Sequence, residues 1–253
     1  MNQINCPLCH SEPRSHELVY SLPNTPDTEN KNIVQCYACN HAFVNPVKPQ
    51  DYKDVPIEIF DCDLQPDSEN RFDFFYTQFM QYYGKTPGRL LEIGCGMGHF
   101  LRKAKKEGWQ VLGVEPSEKV AKWAREKHNI DIVADYYLNT PEYQDAFDAI
   151  VAIECLEHTT DPRKVVERIF RQLKTPGFAY FTVPNFWCKR LREDVTKAQW
   201  HEWPAMILCG HLQFFMPGVL LNLCYESGFK VVTTTWQTGS YDDEQLVAAC
   251  YKL

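Results

Sequence analysis

The stretch Leu90–Phe100, LLEIGCGMGHF, sets a short apolar run directly before Gly94, Gly96 and Gly98. A strand that ends in a glycine turn and restarts as a helix opens a βαβ unit, so this turn constrains the fold more than any other feature. The alternation continues downstream. RLLEIG leads into HFLRKAKKEG, QVLGVE into SEKVAKWAREKH, and FDAIVAIE into DPRKVVERIFRQL, with IDIVAD and GFAYFTVP as further apolar runs. Strands alternating with helices imply an α/β domain built on a parallel sheet with helices on both faces. PGVLLNLCYESGF reads as a helix closed by Gly228, and KVVTTTWQ and EQLVAACYKL as a terminal strand pair. The aromatic run FDFFYTQFMQYY, 72–83, reads as a helix that either joins the core or lies over a ligand pocket.

The glycine turn also selects a ligand. A dinucleotide turn needs G-x-G-x-x-G, and His99 stands where the third glycine would be. A nucleoside-triphosphate loop needs G-K-[ST], which is missing. Glu92, at the strand end, repels a diphosphate and attracts a cationic amino group. The second strand ends in Glu115, 21 residues after Gly94, where a carboxylate can accept both hydroxyls of a ribose. The turn therefore suits a nucleoside with a cationic tail, and glycine lets the backbone approach it closely.

Taken together, LLEIGCGMGHF, VLGVEPS, FDAIVAIECLEHTTDP and LKTPGFAYFTVPN resemble the motifs of class I S-adenosylmethionine-dependent methyltransferases. Within that class the chain is similar to small-molecule O-methyltransferases, including the ubiquinone-biosynthesis type, and HLQFFMPGVLLNLCYESGF has the look of that subgroup. The similarity runs from about Leu90 to Leu253. It implies a Rossmann-like, seven-stranded, mostly parallel sheet with the last strand antiparallel, over a methyltransferase domain spanning 71–253. It also implies S-adenosyl-L-methionine as cofactor. Glu92 and Gly94, Cys95, Gly96 and Gly98 would cradle the methionine moiety. Glu115 would hold the ribose, Pro116 would lie beside the adenine, and Asp135 and Tyr136 would flank the ring. Glu154 and Cys155 would line the methionine side. The tetrapeptides NPPY and DPPY, typical of adenine and amide N-methyltransferases, are absent, which argues against DNA base methylation.

Of 11 cysteines, four form two pairs, Cys6/Cys9 in CPLCH and Cys36/Cys39 in CYACN. Two such pairs complete the tetrahedral sulfur shell that zinc prefers. Residues 1–46 are expected to form a zinc ribbon with structural Zn2+, because so short a segment cannot bury much core alone. Buried free thiols or a redox pair are the alternatives. His10, His16 and His41 are spare candidates. Residues 47–70 form an acidic linker, with seven acids against one lysine over 51–70. It is either a charged surface connector or a flap on the substrate side.

The segment 185–210, NFWCKRLREDVTKAQWHEWPAMILCG, is expected to be a cap inserted at the C-terminal edge of the sheet, where substrates bind. Lys189, Arg190 and Arg192 could receive a phosphate or carboxylate there, or simply face solvent. Methyl transfer to a hydroxyl needs a proton acceptor, and His158, His201 and His211 are the candidates in substrate-side segments. The expected activity is O-methylation of a small polar acceptor, phosphorylated or nucleotide-linked and of sugar type. N- or C-methylation, or an RNA or protein methyltransferase using the ribbon for recognition, are the alternatives. Net charge is −7 without a basic face, so no dominant contact to long nucleic acid is expected. No apolar run reaches membrane-spanning length and no leader pattern opens the chain, so a cytoplasmic enzyme is expected. No oligomeric state follows from these patterns.

Overall fold

A computed structural model describes residues 4–21, 32–46, 51–55, 57, 68–188, 210–236 and 245–253. Most of the acidic linker lies outside the described residues. So does the cap from 189 to 209, with Lys189, Arg190, Arg192 and His201.

Seven strands form the central sheet: β4 (Arg89–Ile93), β5 (Gln110–Val114), β6 (Asp131–Val133), β7 (Phe147–Ile153), β8 (Leu173–Pro184), β10 (Lys230–Trp236) and β11 (Gln245–Lys252). Their order is β10-β11-β8-β7-β4-β5-β6. Pairing is parallel from β6 through β8, and β11 runs antiparallel to both β8 and β10. The chain steps from β4 outward to β5 and β6, then returns to the other side of β4 as β7. That reversal leaves a crevice beyond the C-terminal ends of β4 and β7, where open α/β sheets bind ligands.

Burial explains the strand sequences. β7, FDAIVAI, is buried at every position but one, as a central parallel strand covered on both faces must be. In β8, Phe178 and Tyr180 point to one face, Ala179 and Phe181 to the other. The first face carries α1 (Ser68–Tyr83), α2 (His99–Lys106) and α3 (Glu118–His128). The second carries α4 (Pro162–Gln172) and α5 (Pro217–Glu226). The aromatic helix α1 belongs to the core. Phe75, Tyr76, Phe79 and Tyr83 form its buried stripe. Phe79 meets Tyr83, Phe100, Trp109, Phe178 and Tyr180 at ring-centroid distances of 5.5–6.0 Å. Two helix starts are fixed by side chains: Ser117 Oγ accepts from Val120 N and Asp161 Oδ1 from Lys164 N.

A second sheet joins β1 (His16–Ser21), β2 (Asn32–Cys36), β3 (Ala42–Asn45) and β9 (Gln213–Phe214), all antiparallel. Its fourth strand comes from beyond the cap, with Ala42 opposite Phe214 and Phe43 opposite Gln213. The reason is burial: Ile33, Ala42 and Val44 need a partner face, and Phe186, Cys188 and Phe214 supply it. The cysteine-bearing segment is thus completed by the C-terminal half. Among the described residues, no helix is long and apolar enough to cross a membrane.

Candidate active site

The glycine turn after β4 uses left-handed backbone three times, with φ of +67° at Gly94, +48° at Gly96 and +72° at Gly98. Two of these positions have no room for a side chain. A Cβ on Gly94 would lie 2.8 Å from Cys155 Sγ, and one on Gly98 2.7 Å from Ile130 Cδ1. The turn must therefore be glycine for both conformation and space.

The turn is locked to the end of β5 through Glu115. Its Oε2 accepts from Gly96 N at 3.0 Å and its Oε1 from Ser117 N at 2.9 Å. Each oxygen keeps a lone pair, so the carboxylate can accept two further hydroxyls. Glu115 is 4% exposed, and burial pushes its carboxyl up to about 6 against the pull of the two amides.

A cavity of about 740 Å³ opens at these strand ends. Gly94, Glu115, Pro116, Tyr136, Glu154, Cys155 and His158 line it, with Gly94 directly beside Cys155. This volume suits a nucleoside-sized ligand with an acceptor beside it. Asp51, Tyr52 and Lys53 roof it. Tyr136 Oη donates to Asp51 Oδ1 at 2.9 Å and accepts from Tyr52 N at 2.8 Å. Ser117 Oγ donates to the Val55 carbonyl at 3.1 Å. Tyr52 Oη lies 2.7 Å from His158 Nδ1, linking the roof to this lining residue.

Beyond β7 the chain bends sharply. Glu154 has φ +49°, a strained conformation for a residue with a Cβ. Its Oε1 accepts from Thr182 Oγ1 at 3.0 Å and Gln245 Nε2 at 2.8 Å, which hold the bend. Next comes Glu157, 1% exposed, with neither carboxylate oxygen hydrogen-bonded among the described residues. Burial, then the charge of Glu154, pushes its carboxyl well above the usual range. His211 Nε2 lies 4.0 Å from Glu157 Oε1, and the His158 and His211 rings meet edge to face at 4.7 Å. Burial lowers His158 to about 4. One oxygen of Glu157 and one nitrogen from each histidine lie within 4.8 Å of one another, a donor set that suits a divalent cation.

The four thiols of Cys6, Cys9, Cys36 and Cys39 also converge within 4.8 Å. Cys6–Cys39 and Cys9–Cys36 are each 3.6 Å apart. Tetrahedral zinc with Zn–S near 2.3 Å would set sulfurs roughly 3.8 Å apart, so the donor set fits that ion.

Several residues singled out by sequence stand behind the cavity lining. Glu92 is 2% exposed within β4, opposite Gly113 and Val151 of its neighbours. The Cys95 side chain packs into the core, where a Cβ on Gly113 would come within 2.6 Å of its sulfur. Asp135 accepts from Tyr136 N at 2.8 Å and Asn139 Nδ2 at 3.2 Å, and pairs with the roof residue Lys53 at 3.3 Å. His99 stacks on Phe72 at 5.4 Å between α1 and α3, so the missing third glycine is a packing position. Sequence reasoning missed Glu157, Tyr52 and Gln213. Glu157 had a signal, since Glu154, Glu157 and His158 follow one strand end; Tyr52 and Gln213 had none.

A family model described as a methyltransferase domain matches residues 69–234. The chain is 29% identical over 118 residues to a ubiquinone biosynthesis O-methyltransferase of Hydrogenovibrio crunogenus, covering 44% of this chain and 47% of that one. It is 30% identical over 155 residues to the enzyme of that name from a Bradyrhizobium species, covering 55% and 60%. The chain thus spans about half the length of these relatives. Its fold matches that of an S-adenosylmethionine-dependent methyltransferase from Mesorhizobium loti, with a TM-score of 0.58 at 18% identity, covering 70% of this chain and 96% of that one. With a family match over most of its length on a seven-stranded sheet of this topology, the chain belongs to the methyltransferase-domain family, as a class I S-adenosylmethionine-dependent methyltransferase related to the ubiquinone-biosynthesis O-methyltransferases.

Proposed function

We propose that this protein transfers a methyl group from S-adenosyl-L-methionine to a hydroxyl of a small molecule. The observation that carries the reading is Glu115, whose carboxylate is fixed by two backbone amides at the cavity wall with two lone pairs free. When bound, the cofactor supplies an electrophilic methyl on a sulfonium. Glu115 accepts the two ribose hydroxyls. Pro116 and Tyr136 flank the adenine, with Asp135 orienting the Tyr136 backbone. The turn from Gly94 through Cys95 and Gly96 to Gly98 gives its backbone to the amino-acid tail, and the buried Glu92 behind it complements the ammonium. Glu154 and Cys155 bound the methionine side. The roof over Asp51–Val55 excludes water, which strengthens each of these contacts.

The acceptor enters beside His158, whose ring meets that of His211 at 4.7 Å. Held neutral by burial, His158 can take a proton from an acceptor hydroxyl aligned with the methyl group. Tyr52 Oη, 2.7 Å from Nδ1, and the Gly210 backbone hold the His158 ring at the cavity wall. His201, from the cap sequence, is a further candidate base and lies outside the described residues. A second reading has its own observation, the buried Glu157 carboxylate without a hydrogen-bond partner among the described residues. A divalent cation held by Glu157, His158 and His211 would neutralise that carboxylate and lower the acidity barrier of a bound hydroxyl.

The finer reading is a phosphorylated or nucleotide-linked, sugar-type acceptor, supported by Lys189, Arg190 and Arg192 at the start of the cap. Cys6, Cys9, Cys36 and Cys39 would hold a structural zinc ion. A panel of free and nucleotide-linked sugars, phenols, amines, RNA and protein, read by adenosylhomocysteine release with and without Mg2+, tests the assignment. Methyl on a hydroxyl oxygen of a small acceptor is expected. Methyl found only on nitrogen, carbon, RNA or protein would overturn it.

A further inference from the structure

A buried polar relay runs from the cysteine segment to the acceptor-side loop, outside the cavity. His41, fully buried between β2 and β3, places Nε2 2.8 Å from Gln213 Oε1. An amide oxygen can only accept, so His41 is the donor. Gln213, 1% exposed on β9, donates its own Nε2 to the Thr159 carbonyl at 2.8 Å. Thr159 directly follows His158. Two backbone bonds run alongside. Leu212 N donates to the Glu157 carbonyl at 2.7 Å, and Val44 N on β3 donates to the Leu212 carbonyl at 2.9 Å. The residues on either side of His158, and the residue after His211, are therefore tied to β3 or to His41 just before it.

This wiring exceeds what a docked module needs. Ile33, Val44 and Phe214 already pack the segment through an apolar contact that fixes no direction. A side-chain amide that satisfies one partner on each element instead fixes distance and orientation between them. The 3-10 turn Leu156–His158 has little regular structure of its own to hold His158 in place.

We propose that Gln213 is a positioning residue for the His158–His211 pair, and that the cysteine segment, through His41, is the outer brace of the acceptor side of the cavity. The catalytic consequence rests on the reading that these histidines face the acceptor; the bracing itself does not. Loss of the brace leaves the cofactor end untouched, because Glu115 and the glycine turn are held by other bonds.

The test uses the full chain labelled with 13C and 15N in histidine. Gln213→Leu removes both side-chain bonds at similar volume. His41→Phe keeps a ring stacked on Phe43 and tilted against Phe215 and removes the donor. In both variants the His158 and His211 imidazole resonances are expected to shift or broaden, while S-adenosylhomocysteine affinity stays within about twofold. With an acceptor in hand, kcat is expected to fall about tenfold with the KM for the cofactor unchanged. Unmoved resonances in variants that still bind S-adenosylhomocysteine would overturn the bracing. So would a tenfold loss of that affinity in both, which marks a general structural role. Shifted resonances with unchanged turnover would support the brace and remove the histidines from the reaction.

Discussion

Replacing Glu115 with glutamine separates its charge from its shape. In the native chain both carboxylate oxygens already accept a backbone amide, from Gly96 at 3.0 Å and Ser117 at 2.9 Å. A glutamine can satisfy only one of these; its NH2 group must face the other N–H. One ribose hydroxyl also loses its acceptor, and the remaining bond loses its charge. Hydrogen bonds to a charged group are worth about 1.5–3 kcal/mol, so the net loss should be about 2–3 kcal/mol, roughly 30- to 150-fold in Kd. The native protein adds a pH signature. With Glu115 titrating near 6, about nine-tenths is ionised at pH 7 and about one-tenth at pH 5, so affinity should fall about tenfold on acidification. Without ligand the sign reverses. The folded value of about 6 lies above the ordinary 4.5, so the stability contribution is complete below about pH 4.5 and is lost as pH rises through 6. Calorimetric titration of S-adenosylhomocysteine between pH 5 and 8 measures the affinity effects, and thermal unfolding of the ligand-free protein across pH 4–7 the stability effect. A Glu115→Gln protein that binds within twofold of the native one, or that keeps the same pH dependence, would refute the ribose contact.

Gly94→Ala should cost about 1–3 kcal/mol, from left-handed backbone and the 2.8 Å approach to Cys155 Sγ, and should lower the melting midpoint by about 2–8 °C. Its cofactor affinity should fall with it, which calorimetry at a fixed temperature would show. Elemental analysis should find one zinc ion per chain, retained in Cys224→Ala and lost in Cys9→Ser; metal-free protein should melt earlier. Glu157→Gln should abolish Mn2+ binding at the inner cluster, read by electron paramagnetic resonance, without changing S-adenosylhomocysteine affinity. Equal Mn2+ binding in both proteins would exclude Glu157 as a ligand.

Much of the sheet was legible because its signals are local. Each central strand is an apolar run bounded by a turn, and burial on both faces leaves no other way to place FDAIVAI. The placement of Glu115 beside the glycine turn was legible for a similar reason: adjacent parallel strands bring the ends of β4 and β5 together, so residues 19 apart, Gly96 and Glu115, share a hydrogen bond. The first departures come where a side chain has two ways to be satisfied. His99 occupies a glycine position by filling a gap beside Phe72, and Cys95 faces Gly113 in the core. No one-dimensional pattern separates these from ligand contacts.

The remaining features depend on contacts far apart in sequence. Tyr52 meets His158 across 106 residues and His41 meets Gln213 across 172. β9 is two residues long, too short for any periodicity to show, yet it completes the N-terminal sheet. The division into ribbon, linker and methyltransferase domain follows composition, and composition does not report which strands pair. Glu157 lies between these cases. It stands beside His158 in sequence, but only folding removes it from water and sets it near His211.

The most direct test of the cofactor site is a crystal structure of the full chain grown with S-adenosylhomocysteine. The nucleoside should occupy the cavity under Tyr52, with both ribose hydroxyls on Glu115, the adenine between Pro116 and Tyr136, and the amino-acid tail over Gly94 and Gly96. A nucleoside bound elsewhere, or a ribose turned away from Glu115, would contradict the account.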